Sequence, residues 1–153
     1  MTDEQREEYF NMVDHNIDTY GFHLTYVLES NETPPFGYST GLFRHAQLPE
    51  LFISGLPSGL THTLIDAYAK LFAQQAVPTR VILDHVSERF PIYLIEVEPK
   101  KLEEYMLSSF RIYGDAEFKC LQLIFPDLDG HFPGEQGYDY EQEIFGDILS
   151  MPQ

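Results

Sequence analysis

The sequence predicts one α+β domain over residues 1–153, with a mixed or antiparallel sheet of about five to six strands and helices packed mainly on one face. Strand-like segments occur in groups between the helices, whereas a doubly wound parallel sheet would alternate single strands with helices. A chain of 153 residues has the usual length of one domain. Its hydrophobic fraction of 43% is enough to build a core without a disulfide or a metal.

The first half of the chain contains a helix, three strands and a second helix. Thr2 or Asp3 can cap the first helix, and Gly21 can end it. β-Branched and aromatic residues then predict three short strands, at residues 22–28, 37–42 and 51–54. The clearest helix follows over residues 58–75, because apolar side chains recur there at helical spacing. We expect four of these side chains to pack on the sheet: Leu64, Tyr68, Leu71 and Phe72.

The second half repeats the grouping with two strands, a helix and a last strand. The β-forming segments lie at residues 81–86, 92–97 and 118–125. Pro99 suits the first turn of the helix between the last two of them, and Gly114 can close it. An irregular segment follows from residue 126 to about residue 137. Residues 140–149 could form a short terminal helix.

The single cysteine and the lack of long apolar stretches indicate the compartment. Cys120 lies in an apolar run, which predicts a core residue and not a nucleophile. One cysteine allows no intramolecular disulfide, so nothing indicates an oxidising compartment. The acidic N-terminus does not resemble a signal peptide, and no apolar stretch approaches the roughly 18 residues that span a bilayer. We therefore expect a cytoplasmic protein with no membrane partner.

The chain is strongly acidic. Nine Lys and Arg against 25 Asp and Glu give a formal charge of −16, which disfavours binding to nucleic acid because phosphates would be repelled. Seven of the acidic residues lie between Cys120 and Gln153, a segment without Lys or Arg. This segment is either a solvated surface or a face that docks a basic partner.

Two segments in the first half mix glycine or proline with polar groups in a way that plain scaffold rarely needs. In residues 34–42, Phe36, Tyr38 and Ser39 lie in a strand pattern interrupted by glycines, which often mark a bulge or a close backbone approach. In residues 45–57, His45 occupies a loop and Glu50 opens a strand. A kinked strand, an exposed imidazole and a capping carboxylate are the structural alternatives to a binding site.

A third segment places two carboxylates, a glycine and a histidine directly after a buried strand. Asp127, Asp129 and His131, with Phe132 beside them, could hold a divalent metal or act as acid and base. The same residues are also typical of a turn, since Asp bonds its own backbone and Gly takes positive φ. Because six scattered His and one apolar Cys form no four-ligand set, we expect no structural metal and no cofactor.

A resemblance rests on five motifs between residues 17 and 138: Tyr20-Gly21-Phe22, Pro35-Phe36-Gly37-Tyr38-Ser39-Thr40-Gly41-Leu42, Leu48-Pro49-Glu50-Leu51, Ser54-Gly55-Leu56-Pro57, and Gln122-Leu123-Ile124-Phe125-Pro126-Asp127 followed by Gly130, Phe132 and Pro133. With these motifs the chain resembles a bacterial family, domain of unknown function 4262. It departs at Phe22, where members commonly carry Trp, at Gly37, where a larger residue is common, and at Gly134, where an aromatic is usual. The resemblance implies a compact bacterial protein and supplies no activity.

Three functions fit these observations. The first is a non-enzymatic binding module for a protein or small molecule, favoured by abundant aromatics and the lack of a complete catalytic set. The second is an acidic antagonist or immunity-type protein that blocks a basic partner. The third is a small hydrolase that uses Asp127, Asp129 and His131, with Glu50 or His45. For any of them we predict one concavity rimmed by Tyr38, Ser39, Glu50 and Asp127 and walled by Phe36 and Phe132.

Overall fold

A computed structural model describes residues 2–114 and 117–149. Within these residues lie five strands: β1 (His23–Val27), β2 (Phe36–Thr40), β3 (Glu50–Ser54), β4 (Tyr93–Val97) and β5 (Cys120–Ile124). The same residues form four α-helices: α1 (Asp3–Tyr20), α2 (Leu42–Ala46), α3 (Ser58–Leu71) and α4 (Leu107–Tyr113). A 3₁₀ turn covers Pro99–Leu102.

The ends of α1 follow the predicted signals. The Thr2 hydroxyl accepts the N–H of Gln5, and the Gln5 side chain accepts the N–H of Thr2, which completes a capping box. At the other end Gly21 adopts a φ of 90°, a conformation that glycine takes without strain. The chain then turns directly into β1.

The five strands form one mixed sheet in the order β1-β2-β3-β5-β4. β3 and β5 pair in parallel, and the other neighbours pair antiparallel. The predicted α+β class, with a mixed sheet of five strands, is therefore confirmed.

Each face of the sheet is apolar and covered. Because side chains alternate along a strand, Leu51 and Ile53 of β3 point to one face and Phe52 points to the other. The first face packs on α3 through Leu64, Ile65, Tyr68 and Phe72, and we call it the α3 face. The second, which we call the α4 face, packs on the 3₁₀ turn and the segment before α4.

Helix α1 lies on the α4 side of the sheet. The Tyr9 hydroxyl is 3.4 Å from the hydroxyls of both Thr25 in β1 and Ser108 in α4. The Arg111 guanidinium joins the same two helices, since it lies 4.1 Å from the ring centre of Phe10 and 3.0 Å from the Asp14 carboxylate. Both helices therefore lie over one face, opposite α3.

Three predicted elements before residue 115 differ in the structure. Residues 81–86 form no strand; Leu83 makes a single antiparallel bridge to Ile92, while Val81 and Ile82 are 48% and 47% exposed and have no sheet face to cover. The helix predicted from Pro99 divides into the 3₁₀ turn and α4. The strand predicted over residues 37–42 ends at Thr40, because Gly41 at a φ of 112° begins α2 instead.

Residues 140–149 form no helix. Their backbone groups bond to side chains of the sheet, among them Ser54 of β3 and Gln122 of β5, in place of one another. The segment crosses the α4 face in an irregular conformation and packs the partly buried Phe145 there.

Candidate functional site

The residues predicted to share one concavity lie at two ends of the sheet. Glu50 opens β3 and pairs with Cys120 at the start of β5, whereas Asp127 follows the other end of β5. The stretch of β5 from Cys120 to Ile124 alone spans roughly 13 Å. The predicted concavity shared by Glu50 and Asp127 is therefore wrong. The binding role of each residue stays a prediction.

Glu50 is a fully buried carboxylate that holds the start of α2. One oxygen accepts the N–H of Gly41 at 2.9 Å and of Phe43 at 3.2 Å, as well as the Tyr113 hydroxyl. The other accepts the N–H of Leu42 at 3.2 Å and the Ser39 hydroxyl at 2.7 Å. Burial raises the pKa of the Glu50 carboxyl, and these hydrogen bonds oppose that shift. Five donors occupy both oxygens, which is the arrangement of a structural cap.

The other predicted residues of this region belong to the core. Ser39 accepts the N–H of Leu51 at 2.9 Å while it donates to Glu50, so its hydroxyl joins β2 to β3. Tyr38 is 1% exposed and its hydroxyl accepts the N–H of Ser108, which makes it a core residue and not the rim residue predicted. Phe36 packs on Phe52 and Tyr105, and Phe132 packs on Tyr93.

Asp127 organises the loop after β5. One carboxylate oxygen accepts the N–H groups of Asp129 and His131 at 2.9 Å, and the other accepts the N–H of Asp139 at 2.8 Å. Burial acts to raise the pKa of Asp127, but the three N–H groups and the nearby His131 outweigh it and lower that pKa. The His131 Nδ1 lies 3.4 Å from the carboxylate, and the Asp129 side chain is exposed. The turn interpretation explains the bonds to Asp129 and His131, and the bond to Asp139 fastens a later part of the chain to the same turn.

His45 is the predicted site residue that lines an open cleft. This cleft has a volume of about 750 Å³ and lies where the end of α1, the start of β1, α2 and α3 meet. We call it the histidine cleft, because three imidazoles line it: His23, His45 and His62. Gly21 allows the close packing at its mouth, since a Cβ atom there would come within 2.9 Å of the His45 ring.

The polar groups of the histidine cleft are few and mostly uncharged. His23 is buried, and burial lowers the pKa of its imidazole, so the ring is neutral at pH 7. Its Nδ1 lies 2.9 Å from the Asn16 amide nitrogen, which donates to it and leaves the proton on Nε2. Asp66 pairs with Lys70 at 2.9 Å. The apolar part of the lining comes from Phe22, Leu24, Leu42, Leu48 and Ala69.

Sequence reasoning missed four polar residues of the cleft: Asn16, His23, His62 and Asp66. His62 and Asp66 lie one turn apart on α3. The apolar stripe of α3 was interpreted as the core-facing side of the helix, and no role was predicted for its polar side. Asn16 lies on α1, which was likewise interpreted only from its apolar residues, so no role was predicted for its polar ones. The usable signal was Tyr20-Gly21-Phe22, a motif of the family resemblance that lies in the wall of the cleft.

A larger cleft of about 980 Å³ lies at the end of the sheet where β5 begins. Long, exposed side chains form much of its rim, among them Gln47, Gln75, Lys101 and Lys119. Part of its wall comes from Phe145, Gly146 and Asp147. It contains none of the predicted site residues.

Neither a reactive cysteine nor a metal site is found among the described residues. Cys120 is buried beside Met106, and burial raises the pKa of its thiol, so the reactive thiolate is suppressed. Across residues 2–114 and 117–149, no three His, Cys, Asp or Glu side chains lie close enough to share a metal ion. No helix among these residues is long and apolar enough to cross a membrane.

Comparison with known proteins identifies a family for most of the chain. Residues 16–139 match the family model described as Domain of unknown function (DUF4262). No curated protein and no solved structure matches the chain. The matched range contains all five strands and every residue of the histidine cleft.

Proposed function

The chain belongs to the DUF4262 family, and we propose that it is a non-enzymatic binding protein that holds a small molecule in the histidine cleft. The observation that carries the proposal is the lining of that cleft, in which three imidazoles and one amide are set among apolar side chains. Small-molecule sites are typically concave and largely apolar, with a few polar groups that orient the ligand. We also propose a bacterial, cytoplasmic protein, on the family resemblance and the single buried cysteine.

The charges around the cleft favour a neutral or cationic ligand. Asp66 and Lys70 neutralise each other at its edge, so the lining adds little net charge. The chain as a whole carries a formal charge of −16, which repels anions. The imidazoles and the amide can both donate and accept hydrogen bonds. The class of ligand that fits is a small, partly apolar molecule with hydrogen-bonding groups and no negative charge.

Histidine ring resonances give a direct test, because three of the six rings line the cleft and three lie elsewhere. We expect hits from a screen of neutral and cationic fragments to shift the ¹⁵N signals of His23, His45 and His62 together. His62→Ala should weaken binding roughly 2- to 10-fold, since a hydrogen bond contributes about 0.5–1.5 kcal/mol. The measurement is an NMR titration of wild type and variant.

His15→Ala is the matched control, because His15 is exposed on α1 and does not line the cleft. It should leave the affinity unchanged. Fragments that shift the rings of His15, His85 and His131 as strongly as the other three would contradict the proposal.

The hydrolase alternative has less support. A hydrolase needs carboxylates that are free to exchange protons or bind a nucleophilic water. Glu50 has both oxygens occupied by five donors, and Asp127 has both occupied by backbone N–H groups. Its other candidates, Asp129, His131 and His45, lie at two ends of the fold.

One observation favours the acidic antagonist as a second candidate. Leu128 is 99% exposed at the tip of the loop that Asp127 fixes, and the exposed Asp129 follows it. An exposed apolar side chain on a loop held by hydrogen bonds, with negative charge beside it, is suited to dock on a basic protein surface with an apolar pocket.

A pull-down from bacterial lysate at low and high salt tests this second candidate. We expect a basic protein to be retained at low salt and released at high salt, because added ions screen the charges. Leu128→Ser should abolish the capture, whereas Leu107→Ser, at a second exposed leucine, should preserve it. A partner that survives high salt or binds Leu128→Ser equally well would exclude this mode.

A further inference from the structure

Residues 140–149, which we call the strap, cross the α4 face in an irregular conformation. They lie in a groove formed by Phe52, Ser54, Ile95, Tyr105 and Gln122, which we call the strap groove. The groove contains no residue of the histidine cleft, so it constitutes a separate site.

The strap groove recognises the backbone of the strap. Gln122 is fully buried, and its amide donates to the carbonyl of Glu143 at 2.5 Å and accepts the N–H of Phe145 at 3.0 Å. The Ser54 hydroxyl accepts the N–H of Glu143 at 2.9 Å. Bonds to residues 143 and 145 follow the alternation with which a strand bonds its neighbour. Side chains of the sheet thus bond the strap as the edge of a β-strand would.

The residue types at three strap positions, 143, 145 and 146, are also selected. The Phe145 ring packs edge-on against Tyr105 at 5.0 Å and Phe52 at 5.6 Å between ring centres. Gly146 passes so close to β4 that a Cβ atom there would lie 2.5 Å from the carbonyl oxygen of Glu96. The Tyr105 hydroxyl donates to the Glu143 carboxylate at 3.2 Å. Ile144, between Glu143 and Phe145, packs on the core of the α4 face. The groove therefore selects an acceptor, an apolar residue, an aromatic and a glycine in succession.

We propose that the strap groove is a peptide-binding site for an extended segment of another protein that carries an aromatic residue followed by glycine. All five groove residues lie inside the matched family range of residues 16–139, whereas the strap follows it. The groove is thus part of the family domain, and the strap occupies it as an intramolecular competitor. Extended segments commonly bind in this way, with backbone bonds for affinity and side-chain pockets for specificity.

The charge of the chain favours a basic residue on the N-terminal side of this ligand. The strap itself carries Glu141, Glu143 and Asp147, and the whole chain has a formal charge of −16. An external segment with a basic residue at the position of Glu141 would gain attraction to the net negative charge of the chain. At position 147 an acidic residue is favoured, because the Arg80 guanidinium donates to the backbone carbonyl of Asp147. The acceptor at position 143 is met by Gln as well as Glu, since its partner is a neutral hydroxyl.

The experiment uses full-length chains and a fluorescent peptide with the sequence of residues 138–149. In the Gly146→Ala chain the added Cβ conflicts with Glu96, so the strap should leave the groove and free it. We expect this chain to bind the peptide at least roughly tenfold more tightly than wild type, because the fraction of chains with a free strap groove rises. Gly59→Ala is the matched control, as a Cβ there meets nothing within 4 Å, and it should bind like wild type. Fluorescence polarisation measures each affinity.

Peptide variants define the specificity. A Phe145→Ala peptide should not bind, and a peptide with Lys in place of Glu141 should bind more tightly than the native sequence. Hydrogen exchange at residues 143 and 145 should accelerate in the Gly146→Ala chain, and a Phe145→Ala chain should behave in the same way. The proposal would be overturned if all chains bound the peptide equally. It would also be overturned if two chains exchanged straps to form a dimer that takes up no peptide, or if both chain variants unfolded.

Discussion

Glu50→Gln should destabilise the fold by roughly 2–5 kcal/mol, the largest effect we expect from a change of a single polar group. Either orientation of the Gln amide turns its NH₂ group toward backbone N–H groups: that of Leu42, or those of Gly41 and Phe43. A buried N–H that loses its acceptor costs about 1–3 kcal/mol. The start of α2 should loosen as a result.

Urea unfolding followed by circular dichroism measures the loss. Glu96→Gln is the matched control, because Glu96 is exposed on β4 and its replacement should change stability by less than about 0.5 kcal/mol. A Glu50→Gln protein as stable as wild type would show that the carboxylate does not hold α2. The region would then be open again to a catalytic interpretation of Glu50.

The fold class could be predicted because it depends on patterns within each segment. Apolar stripes and β-forming runs located α1, α3 and all five strands to within a few residues, and for α4 they located only its end. Helix α2 could not be found this way, because its five residues are too few to show helical periodicity. Its formation depends on Glu50, whose carboxylate accepts the first N–H groups of the helix. The sequence shows a glutamate there without showing which way it points.

The strap was predicted to be a helix and is not. Here a local pattern is present, but tertiary contacts override it. Tyr140, Ile144 and Ile148 recur at every fourth residue, a spacing that is typical of a helix. In the structure Ser54 and Gln122, distant in sequence, take up the backbone bonds that a helix would use internally. Gly146 also lies against β4, where a helix could not approach as closely.

The candidate site was predicted only in part. The unusual composition around Glu50 and Asp127 was recognised, but its cause is local, since each carboxylate organises a turn of its own. His45 was predicted to lie in a loop, whereas the structure places it in α2, from which it lines the histidine cleft. Its neighbours in the cleft, His23 and His62, come from β1 and α3, and only the folded chain brings them together.

Leu64→Ala should cost roughly 2–5 kcal/mol, because Leu64 is 1% exposed in the core between α3 and the sheet and its removal leaves a cavity. Leu71→Ala is the informative comparison, since it is the same substitution on the same helix. Leu71 is only half-buried, so its loss should be clearly smaller, roughly 1–2 kcal/mol. Chemical unfolding of both variants gives the two values. Equal losses would mean that α3 packs on the sheet through a different stripe, and the α3 wall of the histidine cleft would then be misplaced as well.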